Sequence, residues 1–121
     1  MTKILEAVQA GSGKWKAAFN AGDAAACAAC YEPEAVMVAK PFGEFVGRDA
    51  IETFWRTLIA DGYTNIEYLE PTVTVIDETS AVLQAGWTMN KAKGVITREL
   101  WVLQDSGEAL LREDHFEAHG A

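Results

Sequence analysis

A chain of 121 residues, half of them hydrophobic and a tenth aromatic, is sized for one domain that buries about 65% of its unfolded surface without staples. Its net charge of -8 and pI near 4.6 oppose a phosphate backbone, and no Lys/Arg cluster makes one face basic, so nucleic acid is excluded as a partner. No apolar run approaches the ~20 residues of a membrane span, and Glu6 and Gln9 interrupt the stretch that a signal peptide would need, so a cytoplasmic protein with no membrane partner is expected.

Lys3 to Asn20 reads as a first helix. Leu5, Val8, Trp15 and Phe19 recur on one stripe, with Ser12 among them. Gly11 and Gly13 each weaken it by about 1 kcal/mol against Ala, so a break near them is expected. Asn20-Ala-Gly22 ends this helix, and Asp23 caps a second that runs to about Tyr31, where Pro33 stops it.

Cys27 and Cys30 make a C-x-x-C spacing inside that second helix. With His115 and His119 they could be offered as a zinc site or a redox pair. The setting A-A-A-C-A-A-C-Y instead suits two thiols packed as small apolar residues. The separation from the histidines also exceeds that of any short zinc module. Neither a metal nor a cofactor is expected.

Ala35 to Ala39 is short and β-rich, hence a strand. Pro41-Phe42-Gly43 turns it, and Glu44 to Val46 returns as its partner. The stretch from Glu44 to Leu58 organises the rest. Gly47 breaks the strand, Asp49 sits where a helix begins, and Ile51, Phe54, Trp55 and Leu58 fall on one side of it. This third helix ends at Asp61-Gly62 and braces a concave sheet. Four strands follow: Asn65 to Ile76, with an edge or bulge at Pro71; Ser80 to Met89; Val95 to Gln104; and Ala109 to His119.

Helices early and strands late give an α+β fold, with helices on one face of a mostly antiparallel sheet. The late strands carry apolar residues on both parities, Leu100 and Val102 on one, Trp101 and Leu103 on the other. A sheet with one wet face would alternate cleanly. The simplest second cover is another copy of the chain, so a homodimer through the outer sheet face is expected.

The run A-F-N-A-G-D (Ala18 to Asp23), then Tyr31 to Val38, Pro41-Phe42-Gly43, G-R-D-A-I-E-T-F-W (Gly47 to Trp55) and L-R-E-D-H-F-E-A (Leu111 to Ala118) together resemble the SnoaL-like and ketosteroid-isomerase-like proteins. The resemblance spans residues 1–121 as a single domain. It implies the cone-shaped fold of nuclear transport factor 2, in which a curved sheet wraps three helices around an internal pocket and dimers form through the outer face. It also implies a small apolar or acidic molecule in that pocket. Fold does not fix the activity, since this superfamily holds isomerases, cyclases, dehydratases and non-catalytic association domains.

The isomerase residues of that superfamily are a first-helix tyrosine, a first-strand carboxylate and a protonated late-strand Asp. The resemblance puts Trp15 in the tyrosine's place, Ala39 or Lys40 in the base's, and Glu99 or Leu100 in the last. The isomerase set is thus absent or reduced to one candidate. A different set takes its place on the last strand. Arg112, Asp114 and Phe116 share one face by the period of two, and matching Phe116 to the family's ending turns them toward the pocket. A hairpin around Ser106-Gly107 brings Glu99 or Arg98 beside Asp114. If Glu99 faces in, one carboxyl keeps its proton and the pair can work as acid and base. If Arg98 or Arg112 pairs with Asp114, the site is a structural ion pair, and this is the more economical arrangement. Arg112 would otherwise serve as an anion contact. His115 lies on the opposite parity. Candidate pocket lining is Trp15 and Phe54, by the family pattern, with Tyr31, Met37, Trp87, Trp101 and Phe116.

Two activities follow as expectations. One is proton transfer on an apolar ligand (isomerisation, cyclisation or dehydration) with Asp114 and Glu99 as the catalytic candidates. The other is a binding or association module without chemistry.

Overall fold

The structure, a computed structural model, describes residues 2–120. Helix α1 (Thr2–Asn20) is continuous, where the glycines led us to expect a break. Gly11 is there for contact rather than for flexibility: a Cβ on it would stand 2.6 Å from Cζ3 of Trp101. The buried stripe of α1 runs Ile4, Val8, Ser12, Trp15 and Phe19. Asp23 caps helix α2 (Ala24–Ala28) by accepting from the Ala26 N–H at 3.0 Å.

Strand β1 (Tyr31–Lys40) begins earlier than the sequence suggested. Pro33 does not stop a helix at Tyr31. It sits where the pairing of β1 shifts register between Tyr31 and Val36, a place where a residue without an N–H costs no ladder bond. The carbonyl of Tyr31 is taken instead by the Arg48 guanidinium, with Nε at 3.1 Å. Strand β2 (Gly43–Val46) pairs back on β1. Helix α3 (Arg48–Ala60) starts after Gly47, whose φ of 92° suits glycine. Asp49 lies in its first turn, where a negative charge complements the exposed N–H groups. Ile51 and Trp55 are its buried residues.

Strands β3 (Glu67–Asp77), β4 (Ser80–Thr88), β5 (Lys93–Leu103) and β6 (Ala109–Ala118) complete one curved, open six-stranded sheet of order β2-β1-β6-β5-β4-β3. The β1–β6 pairing is parallel and the rest antiparallel. The pairing of the edge strand β3 shifts between Leu69 and Thr72, around Pro71, as expected. The α+β architecture agrees with the sequence reading.

Two further irregularities reset which side chains face in. On β5, Ile96 pairs with Phe116 but Arg98 with His115, so the inward residues become Ile96, Glu99 and Trp101. On β6, Leu100 faces Glu113 while Trp101 faces Leu111, which leaves Arg112 as the extra residue. Leu111, Asp114 and Phe116 are buried, and Arg112 is turned out. Among the described residues, no helix is long and apolar enough to cross a membrane.

Candidate functional site

Between α1, α3 and the concave face of the sheet lies a small cavity. Trp15 of α1, Trp55 of α3, Tyr68 of β3 and Trp87 of β4 wall it with Phe116, and Glu99 and Asp114 are its two ionisable groups. The aromatic wall is one packed unit. Trp15 meets Trp55 edge-on at 4.9 Å, Trp55 stacks on Phe116 at 5.7 Å, and Trp87 meets Phe116 at 6.3 Å. The free volume is about 20 Å³, room for one water-sized group.

Glu99 and Asp114 are partners in the β5–β6 register and are only 4% and 3% exposed. Each is held by neutral donors. Asp114 Oδ2 accepts from the Tyr31 hydroxyl at 2.6 Å, and that hydroxyl accepts from Trp55 Nε1 at 3.3 Å. Among the described residues Asp114 Oδ1 has no hydrogen-bond partner, so it is the atom able to take a proton. Glu99 Oε1 accepts from Trp101 Nε1 at 2.9 Å, and Oε2 lies 3.2 Å from the Tyr68 hydroxyl.

Burial, and then the charge of Asp114, push the Glu99 carboxyl up to about 8. Burial lifts Asp114 to about 6, while the Tyr31 hydrogen bond and His115 hold it down. At neutral pH the pair therefore shares one negative charge and one proton. An indole only donates, so Trp101 occupies Oε1 as an acceptor. The Tyr68 hydroxyl donates to Glu99 Oε2. Burial, first among several causes, raises both Tyr31 and Tyr68 well above the ordinary tyrosine range, so both remain neutral donors.

No arginine reaches this pair, which corrects the expected ion pair. Arg112 bonds Glu32 across the rim, with Nε at 2.7 Å from Oε1, and Arg98 lies 3.5 Å from Glu113 on the outer face. The alternation used to aim Arg112 inward fails at the β6 bulge. Lys16, whose ammonium sits 4.7 Å over the Tyr68 ring, is the weakest of the influences on Glu99.

Of the other expected residues, Trp15 and Phe116 line the cavity. Tyr31 and Met37 stand behind Asp114, with the Met37 sulfur 3.9 Å from the Tyr31 hydroxyl. Trp101 supports Glu99 without forming the cavity wall. Phe54 lies outside it, in a surface groove of about 590 Å³ with Phe42 and Phe45. It touches the cavity only through Trp55 and Phe116, at 5.0 and 6.3 Å. The sequence reading missed Trp55 and Tyr68 as site residues. The stripe of α3 already held Trp55, but nothing in the period of β3 singles out Tyr68.

His115 points outward and meets Glu113 at 3.2 Å, as parity predicted. Cys27 and Cys30 are free and buried, and burial pushes the Cys27 thiol up to about 12. Among the described residues no group of three His, Cys, Asp or Glu side chains could hold a metal ion.

Solved structures of the same shape include a ketosteroid isomerase-like protein from Erwinia carotovora atroseptica, with TM-score 0.80, 16% identity and 97% of each chain covered. An NTF2-like protein with a cystatin-like fold from Novosphingobium aromaticivorans matches with TM-score 0.78 and 16% identity over 98% of this chain and 83% of its own. ActVI-ORFA from Streptomyces coelicolor matches with TM-score 0.78 and 13% identity over 95% and 97%. At such identities these likenesses establish the fold alone. No curated protein matches the chain. The SnoaL-like domain model matches residues 13–104, most of the chain and every residue of the cavity but Asp114 and Phe116, and the protein belongs to the SnoaL-like family.

Proposed function

We propose that this protein binds a small uncharged apolar molecule in the cavity and moves a proton on it, in an isomerisation, cyclisation or dehydration. The observation that carries this is the buried Glu99–Asp114 pair, which no arginine neutralises. A structural role would favour an ion pair or an apolar replacement, because two carboxyls buried together cost stability unless they are used. Asp114 Oδ1 is the base. Glu99 supplies a proton to the group that gains charge. Placing a negative Asp114 in the cavity opposes an acidic ligand, and Arg112 is too far out to offset it.

A ring-sized ligand needs more room than the closed cavity offers. The aromatic chain Phe54–Trp55–Phe116 links the cavity with the Phe42 groove and is the route that would open. The half-buried Val82, Leu100, Val102 and Leu110 adjoin one another through the strand register on the outer sheet face. They support a homodimer through that face.

The test is a thermal-shift screen with ring hydrocarbons, ring ketones and ring acids, followed by hydrogen–deuterium exchange of each stabilising compound in D₂O. A saturating ligand at a hundred times its dissociation constant adds about 2.7 kcal/mol. Enzyme-dependent exchange that Asp114→Asn abolishes is expected. Stabilisation without exchange would favour the second reading, a binding module, to which the small free volume already lends some support.

A further inference from the structure

On the outer face of the sheet one row of residues crosses all six strands in register. It runs from β2 to β3 through Val46, Val36, Glu113, Leu100, Val82 and Thr74. Four of the six are aliphatic, and Glu113 stands between two of them, Val36 and Leu100. In the next row His115 lies between Val38 and Arg98. Arg98 and Glu113 are therefore diagonal neighbours on adjacent strands. Arg98 Nε is 3.5 Å from Glu113 Oε1, and the two side chains are 44% and 37% exposed. His115 Nε2 meets the same oxygen at 3.2 Å. Elsewhere on β6 and just beyond it, Arg112 is bonded to Glu32 and His119 to Glu117. The centre of an aliphatic face thus carries one positive and one negative charge side by side.

We propose that Arg98 and Glu113 are the register pair of a homodimer, crossing its two-fold axis as an antiparallel couple. This rests on the homodimer through the outer face proposed above, and it adds the residues that choose the partner and set its position. As an exposed ion pair the two contribute little to the single chain. Covering the face takes both charges out of water, which costs stability unless each meets an opposite charge. A pair lying flat on the face meets that need when the cover is a second copy. A two-fold axis normal to the sheet, passing between the two side chains, lays Arg98 on Glu113 of the partner subunit and Glu113 on the partner's Arg98. The aliphatic row supplies contact area but no register, because Val and Leu pack against one another at many offsets. An offset that separates the couple leaves four charges covered without cross-partners, so the couple selects one setting of the two faces. It also refuses a partner with a wholly acidic or wholly basic patch at that place.

The test is a charge exchange read by analytical ultracentrifugation, with melting curves to show that each variant is folded. Arg98→Glu gives a face with two negative charges at its centre, and Glu113→Arg gives one with two positive charges. Each alone is expected to self-associate at least about tenfold more weakly than the wild type. Mixed in equal amounts, the two are expected to form a heterodimer. The double exchange Arg98→Glu/Glu113→Arg is expected to dimerise as the wild type does. General loosening of a variant would not be mended by mixing, so recovery on mixing is the readout. Single variants that dimerise like the wild type, or folded variants that stay apart when mixed, overturn the register pair and leave the homodimer standing. If a single variant fails to fold, the double exchange decides, and a folded monomer there overturns the pair. A wild type that stays monomeric at hundreds of micromolar, about the scale of weak association, overturns both.

Discussion

Glu99 and Asp114 face each other across the β5–β6 ladder, both buried, and neither is bonded to a basic side chain. Their folded-state values, about 8 and about 6, lie above the ordinary 4.5 and 3.8. The folded protein therefore holds more protons than the unfolded chain in those windows. Their contribution to stability is full below about pH 4 and is lost as pH rises through 6 and then 8. Glu99→Gln, neutral at every pH, should flatten the fall of melting temperature between pH 4.5 and 8. Melting curves of variant and wild type that run parallel across that range would count against a buried, protonated Glu99.

Tyr31 bonds the carboxyl proposed as the base. Its hydroxyl donates to Asp114 Oδ2 and holds that carboxyl down. Tyr31→Phe should move the acidic limb of a pH–activity profile to higher pH, and the ¹³C-detected titration of Asp114 should shift the same way. Asp114→Asn should remove activity by about 10²–10⁴-fold at all pH values, the usual range for losing a positioned base. A Tyr31→Phe profile that overlays the wild type would show that the hydroxyl does not act on Asp114.

The two glycines of α1 should respond oppositely to alanine. Gly13 is exposed, and a Cβ there meets nothing within 4 Å, so Gly13→Ala should stabilise by about 0.5–1 kcal/mol. Gly11→Ala would drive a methyl into Trp101, itself fully buried. A loss of about 1–3 kcal/mol is expected despite the better helix propensity. Urea unfolding of both variants checks the pair, and equal signs would refute the close packing of α1 on β5.

The outer face makes a prediction about assembly. Leu100 lies beside Val82 in the β4–β5 register, and Leu100→Glu puts a charge in the middle of that apolar patch. The wild type is expected to sediment as a dimer and the variant as a monomer with its melting behaviour otherwise intact. A wild type that remains monomeric at tens of micromolar, by about the scale of weak self-association, removes the dimer from the proposal.

Arg112 should matter little. It is exposed and bonded to Glu32 at the rim, so Arg112→Ala should cost under about 1 kcal/mol and leave ligand affinity unchanged. A large loss of affinity in calorimetry would restore it as a contact.

How far the sequence could be read depended on regularity. Periodicity located α1, α3 and the four late strands, and the hairpin at Ser106-Gly107 narrowed the neighbour of Asp114 to Glu99 or Arg98. It failed where the backbone departs from a period of two. Aiming Arg112 inward assumed that β6 alternates from end to end, and the extra residue at Arg112 breaks that count. Reading Pro33 as a helix stop put Tyr31 on α2, whereas the register shift of β1 absorbs Pro33 and delivers Tyr31 to Asp114. The paired carboxyls were thus legible only as one of two alternatives, and their hydrogen-bond partners were not legible at all. Tyr31, Tyr68 and Trp55 reach the site through sheet curvature and bulges, which leave no periodic trace in sequence.

The sheet order carries a consequence for synthesis. Strand β6, the last of the sheet in chain order, is not an edge but lies between β1 and β5. Until it emerges, both of those strands present bare ladders, and the Tyr31–Asp114 bond must join groups 83 residues apart. Such a topology folds slowly and late, because distant pairings reward the chain only after the entropy of a long loop has been spent. A growing chain would therefore expose two open edges that invite pairing with a neighbour. The carboxyl pair, one half of which β6 supplies, would form only after that strand has joined the sheet.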